Sequence, residues 1–204
     1  MARVRVHFSK TGLACFTAHV DLPMMFSRAA RRAKLRPEMT QGFSPHARLA
    51  LCPPLPVGVI ALSEPADFWF DEWKDDSLAV WNEHLPNGIK ITDAKLEGSG
   101  EEWRSLNKLC AAAEYRIEPL QSTAPEIIAS STESALASRE ALLGVSVEEG
   151  CAVISSNDLE RCGPSFMVKN LIAAEIISGW SDLLITRTTV GAWNDKENKV
   201  IAIF

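Results

Sequence analysis

Several absences narrow the chemistry open to this 204-residue chain. It has no G-x-x-x-x-G-K-[ST] loop, no G-x-G-x-x-G run and no G-x-S-x-G elbow. The usual signatures of nucleotide hydrolysis, dinucleotide binding and serine hydrolysis are therefore missing. It has no H-E-x-x-H pair and no cysteine cluster suited to an iron–sulfur centre. No apolar run approaches the roughly 20 residues that span a bilayer. The opening MARVRVHFSK alternates basic and apolar residues and lacks a signal-peptide core. A cytoplasmic protein with no membrane partner is expected. The five cysteines (Cys15, Cys52, Cys110, Cys151, Cys162) are odd in number and far apart, with no C-x-x-C or zinc spacing. In contexts such as ALCPP and KLCAA they read as free core thiols. Neither a metal site nor a cofactor is expected.

What is present fits a packed protein. Apolar residues make up 47% and charged residues 23%, which excludes a disordered chain. The net charge of −5 is unevenly spread. Residues 1–50 hold nine basic and two acidic residues, a balance of +7. Residues 51–204 hold the other 12 basic and 24 acidic residues, a balance of −12. The basic end is either a localised anion-binding face or an ordinary solvated helix face.

The patterning predicts two tandem α+β units. RVRVHF (3–8) alternates, with Val4, Val6 and Phe8 on one side and Arg3, Arg5 and His7 on the other. SKTG reads as a turn. A helix begins near 17–21 with Asp21 as N-cap, tolerates Pro23 in its first turn and stops at Pro37. Its face of Leu22, Met25, Phe26, Ala29, Ala30 and Ala33 is apolar, and Arg28, Arg31 and Arg32 lie opposite. The stretch 47–59 begins as a strand and turns through three prolines, and a strand at 66–73, a helix at 75–85 and a strand at 89–96 follow. GSGEE (98–102) reads as a polar joint. The second half repeats the order: strand 110–120, helix 125–136, a hairpin over 142–156 turning at Glu149-Gly150, helix 164–178, and strands at 183–190 and 199–204. The expected fold is two ferredoxin-like (βαββαβ) subdomains, 1–97 basic and 103–204 acidic, each with an antiparallel sheet.

Candidate site residues concentrate at the N-terminus. Lys10 sits in Ser9-Lys10-Thr11-Gly12, either a backbone cradle for an anion or a plain turn. His19 is either a site histidine or a neighbour of the helix cap. In TQGFSPHARLAL, Pro45 fixes the backbone before His46, and Arg48 lies two residues on, on the same side of a strand. Phe43 either stacks on a base or plugs the core. The candidate set for an anion or nucleic acid is thus Lys10, His19, Arg28, Arg31, Arg32, Phe43, His46 and Arg48. Glu64 and Asp67 read as residues bounding a strand. With no carboxylate pair beside this set, no catalytic residues are assigned.

Five ordered motifs carry a resemblance: Phe8-Ser9-Lys10-x-Gly12, Phe16-x-x-His19-x-Asp21-Leu22, Arg28-Ala29-x-Arg31-Arg32-Ala33, Gln41-Gly42-Phe43-Ser44-Pro45-His46 and Pro54-Leu55-Pro56-x-Gly58. Together they resemble the N-terminal signature of the radical-SAM-linked proteins, a bacterial domain of unknown function found alone or joined to the C-terminus of cobalamin-type radical SAM proteins. The likeness is dense over residues 4–70 and looser through Ala113-Glu114-Tyr115-Arg116, 164–178 and Arg187-Thr188. Pro23 and Cys52-Pro53-Pro54 depart from the pattern. The resemblance implies an accessory partner of a radical SAM enzyme and supplies no reaction. The leading expectation is a binding module for an anionic partner such as RNA or a phosphorylated ligand. The alternatives are an enzyme using His19 and His46 as acid and base, and a purely structural adaptor.

Overall fold

The computed structural model describes residues 1–98 and 103–204. Most of the expected polar joint at 98–102 lies outside the described residues. Strands are β1 (Ala2–Lys10), β2 (Leu49–Leu51), β3 (Ile60–Phe70), β4 (Ile89–Leu96), β5 (Ala112–Pro119), β6 (Leu142–Glu148), β7 (Cys151–Ser156), β8 (Leu183–Asn194) and β9 (Lys199–Ala202). Helices are α1 (Leu22–Arg32), α2 (Ser77–Asn82), α3 (Leu106–Leu109), α4 (Pro125–Ala137) and α5 (Pro164–Ala173). The nine strands form one mixed sheet, mostly antiparallel, ordered β4-β1-β3-β8-β5-β7-β6, with β2 on β3 and β9 on β8.

The two halves repeat one pairing order. In the first, β1 lies antiparallel between β3 and β4, and β2 pairs with β3. In the second, β5 lies antiparallel between β7 and β8, and β6 pairs with β7. The halves meet where β3 and β8 run parallel for two residue pairs, Ile60 with Thr186 and Ala61 with Arg187. The sequence pattern gives no hint of this seam, because edge pairing between units leaves no periodicity.

Each half has its own apolar core. Val4, Val6 and Phe8 face Phe26 of α1 and Trp81 of α2, and Phe26, Phe68 and Trp81 meet edge-to-face at centroid distances of 4.8–5.9 Å. The second core gathers Tyr115, Ile117, Ile128, Leu136, Ile154, Met167 and Leu171. Cys52, Leu55, Val59 and Ala61 belong to this second core although they lie in the first half of the chain. The Cys52–Val59 segment is thus a strap across the seam.

Four local expectations are corrected. The β1 strand runs through Lys10, and the turn is a 3-10 helix opened by Gly12 at φ +54°. Asp21 makes no side-chain cap bond, because the preceding 3-10 turn His19–Asp21 leaves it already helical at φ −89°, ψ −21°. Helix α1 ends before Pro37, where Lys34 turns left-handed at φ 58°. The β1 face of Arg3, Arg5 and His7 is covered rather than open. Asp67 pairs with both arginines at 2.6–2.8 Å, and Phe204 stacks on His7 at 4.3 Å.

The cysteine expectation is also corrected. Cys52 and Cys110 form a disulfide, while Cys15, Cys151 and Cys162 are free and buried. A separation of 58 residues hides the pair in sequence, and the strap brings the sulfurs together. Denatured, unreduced protein should therefore titrate three thiols and reduced protein five. Closing a loop of this length restrains the unfolded chain by about 4 kcal/mol, so Cys52→Ser should lower the urea midpoint of oxidised protein. Five thiols without reductant, or an unmoved midpoint, would contradict the cross-link.

Candidate functional site

Beside the seam lies a small cleft. Its walls are Phe8, Lys10, His19, Leu22, Leu51, Cys52, Leu55 and Glu64, and its volume of about 10 Å³ holds roughly one water. Strand pairing explains the gathering. Phe8 stands opposite Glu64, and Ala61 is flanked by Lys10 on β1 and Arg187 on β8. Lys10 and His19 from the candidate set are therefore brought together. Lys10 Nζ donates to the carbonyls of Cys15 (3.1 Å) and Thr17 (3.3 Å), so its ammonium holds the 3-10 turn in place. Burial lowers the Lys10 pKa, against the opposing pull of Cys15 and Glu64.

Below the cleft is a group that the sequence reading underrated. Glu64 and Arg187 form a bidentate buried pair, and Arg187 Nη2 also donates to the Pro53 carbonyl at 3.0 Å. Burial alone would lower the Arg187 pKa, but Glu64 and Tyr115 outweigh it and the net shift is upward. Burial raises the Tyr115 pKa against the guanidinium beside it, which keeps the phenol neutral. Among the described residues, Tyr115 Oη and Arg187 Nη1 have no hydrogen-bond partner of good geometry, although the two side chains lie close enough to shift each other's pKa. The sequence gives little signal for this group, because Glu64 and Arg187 sit among other polar residues, Ser63 and Asp67 in β3 and Thr186, Thr188 and Thr189 in β8.

The other candidates lie elsewhere. Arg28, Arg31 and Arg32 are exposed on the outer face of α1. His46 is exposed and does not line the cleft. Its Nδ1 lies 3.2 Å from Thr40 Oγ1 and 3.3 Å from the Ser44 carbonyl, and its backbone N–H donates to the same Thr40 oxygen. Phe43 is fully exposed at the loop tip, so it does not plug the core. The loop's own hydrogen bonds hold it clear. Arg48 is paired with Glu38 at 3.1 Å and stacks 4.5 Å over Trp69. Arg3 continues that stack from Trp69 to Trp103, and Arg5 sits 4.9 Å from Trp103.

An open groove of about 430 Å³ lies past the end of α1. Lys34, Arg36 and Lys74 share it with Asp71, Glu72 and Asp76, so its charge is balanced. Among the described residues, no group of three or more His, Cys, Asp or Glu could hold a metal ion, and no helix is long and apolar enough to cross a membrane.

The model of a family described as uncharacterized protein conserved in bacteria (DUF2344) matches residues 3–151. The chain belongs to that family. The matched span takes in the cleft, the strap and α1, and it ends before α5 and Arg187. No curated protein matches the chain. None of these findings ties the family to radical SAM proteins.

Two histidines, His19 at the cleft and His7 on the covered β1 face, yield a pH prediction. Burial lowers the pKa of both His7 and His19, more than Asp93 and Glu64 raise the first or Glu64 the second. The unfolded value is about 6.5, so acid favours protonation of the unfolded chain. The stability these groups contribute is present above that value and is lost as pH falls through their lower folded values. In urea titrations, a His7→Gln/His19→Gln variant should lose less stability between pH 7.5 and 5.5 than wild type. Equal losses would refute the neutral assignment.

Proposed function

We propose that this chain is a non-catalytic binding module that takes an anionic partner on the outer face of α1. The supporting observation is how the cations of the first fifty residues are used. Arg3 and Arg5 are paired with Asp67, Lys10 is buried on carbonyls, and Arg48 is tied to Glu38. Lys34 and Arg36 share their groove with acids. Arg28, Arg31 and Arg32 remain, exposed on one helix and with no acidic partner among the described residues. Arg31 Nη2 reaches only the neutral Met39 Sδ at 3.5 Å, so three guanidiniums without a counter-charge on one helix face suit a phosphate or carboxylate array.

The pairing order of each half is that of a ferredoxin-like unit, so the proposed architecture is two such units fused edge to edge. Ferredoxin-like sheets elsewhere bind RNA on an open sheet face, and that analogy concerns the fold alone. Here the equivalent face of the first half is covered by the Arg–Trp stack, which favours the helix. A radical SAM enzyme as the protein served, and a cytoplasmic setting, rest on the motif resemblance and the composition, and the Cys52–Cys110 disulfide counts against the second. The acid–base reading has less support, because His19 borders a cleft the size of one water and His46 is not on it.

A labelled 20-nucleotide poly-uridylate serves as a generic polyanion. Wild type should bind it with a steep salt dependence. The Arg28→Ala/Arg31→Ala/Arg32→Ala variant should bind about tenfold more weakly at 50 mM salt, with a log–log slope shallower by about 2. Equal binding by both proteins would leave the structural adaptor as the better reading.

A further inference from the structure

The arginine face of α1 does not end at Arg28. Met24, Arg28, Arg31 and Arg32 follow i, i+4, i+7 and i+8 spacing, so they share one exposed stripe opposite Leu22, Phe26, Ala29 and Ala30. Toward the helix start the stripe becomes apolar. Val20 is 81% exposed and Met24 50%, and the adjoining 3-10 turn presents Leu13 (88%) and Phe16 (63%). The strap extends the same surface. Gly58 N–H donates to the Cys15 carbonyl at 3.0 Å, a Cβ on Gly58 would lie 3.8 Å from the Phe16 ring, and Val57 beside it is half exposed. Val20 and Met24 are exposed toward the start of the basic stripe, and Phe16 and Val57 are exposed where the first 3-10 turn and the strap meet at Gly58, which together mark a contact surface.

We infer that this stripe docks an acidic amphipathic helix of a partner protein, its leucine-type side chains against Phe16, Val20 and Met24 and its carboxylates against Arg28, Arg31 and Arg32. The inference rests on the anion-binding reading of α1 and names the partner class. Charge complementarity selects it. A nucleic-acid backbone would use the arginines and leave the apolar end bare. Asp21, exposed among the apolar residues, would also repel a phosphate there. A helix lying along the stripe buries both ends at once, which is the helix-in-groove mode of recognition. The distance from Met24 to Arg32 is about 12 Å along the axis, a little over two helical turns.

The test uses the full chain and three probes: an 18-residue helical peptide with leucine at i, i+3, i+4 and i+7 and glutamate elsewhere, the same peptide with every leucine replaced by serine, and an 18-nucleotide poly-uridylate. The leucine peptide should bind at least tenfold more tightly than either other probe at 150 mM salt. Val20→Ser/Met24→Ser should reduce that binding to the level of the serine peptide while leaving poly-uridylate binding unchanged. These positions are exposed, so the variant keeps the core intact. Poly-uridylate binding as tightly as the leucine peptide, or a serine variant that binds the leucine peptide like wild type, overturns the inference while the anion face stands. If no probe distinguishes wild type from the triple-arginine variant, the anion face itself is lost and the inference with it.

Discussion

The Glu64–Arg187 pair is the interaction on which the rest of the structure depends. Two units of the same pairing order meet along a parallel ladder only two residue pairs long. So short a ladder does not by itself fix register. The bidentate pair does, because a guanidinium fork accepts a carboxylate in one plane and one orientation. The same Arg187 holds the Pro53 carbonyl, and the neighbouring Cys52 is bonded to Cys110. The strap is thereby fastened to the second half at two adjacent residues. A buried ion pair is weak evidence for stability, since desolvation offsets much of its attraction. Its contribution here is specificity of docking, with Lys10, Ala61 and Arg187 held abreast across three strands.

From that arrangement follows a division of the basic N-terminal charge. Cations near the seam and on the covered sheet face are consumed internally, each on a carboxylate, a carbonyl or an aromatic ring. Those on α1 (Arg28, Arg31 and Arg32) are exposed and have no acidic partner among the described residues. The net charge of the first fifty residues is a poor guide to this outcome, because only burial distinguishes Arg5 from Arg28. The 3-10 turn held by Lys10 also exposes Leu13 and Phe16, so the buried lysine and these apolar side chains are parts of one local structure.

Much of the fold was legible because its elements carry strong periodicity. The β6–β7 hairpin, β4 and α4 follow from alternation, from Glu149-Gly150 and from Pro125 at a helix start. The 3-10 turns and α3 were not, since they contain too few residues to show a period. The seam and the disulfide depend on contacts 58 or more residues apart, which a single chain does not display. Of the candidate residues, Lys10 and His19 both line the cleft. His46 was grouped with them on motif proximity, and the self-bonded 40–46 loop keeps it out of the cleft. Glu64 was passed over because a strand-edge acid is common and its partner lies 123 residues away.

The measurement that bears most directly on this account is a double-mutant cycle on the seam, with Glu64→Gln, Arg187→Met and the pair followed by urea unfolding. Each single change leaves a buried group unpaired and should cost about 3–5 kcal/mol. The double variant should recover a large part of that loss, giving a coupling of about 2 kcal/mol or more. Additive losses, with coupling under about 0.5 kcal/mol, would show that the two halves are held together by something other than this pair.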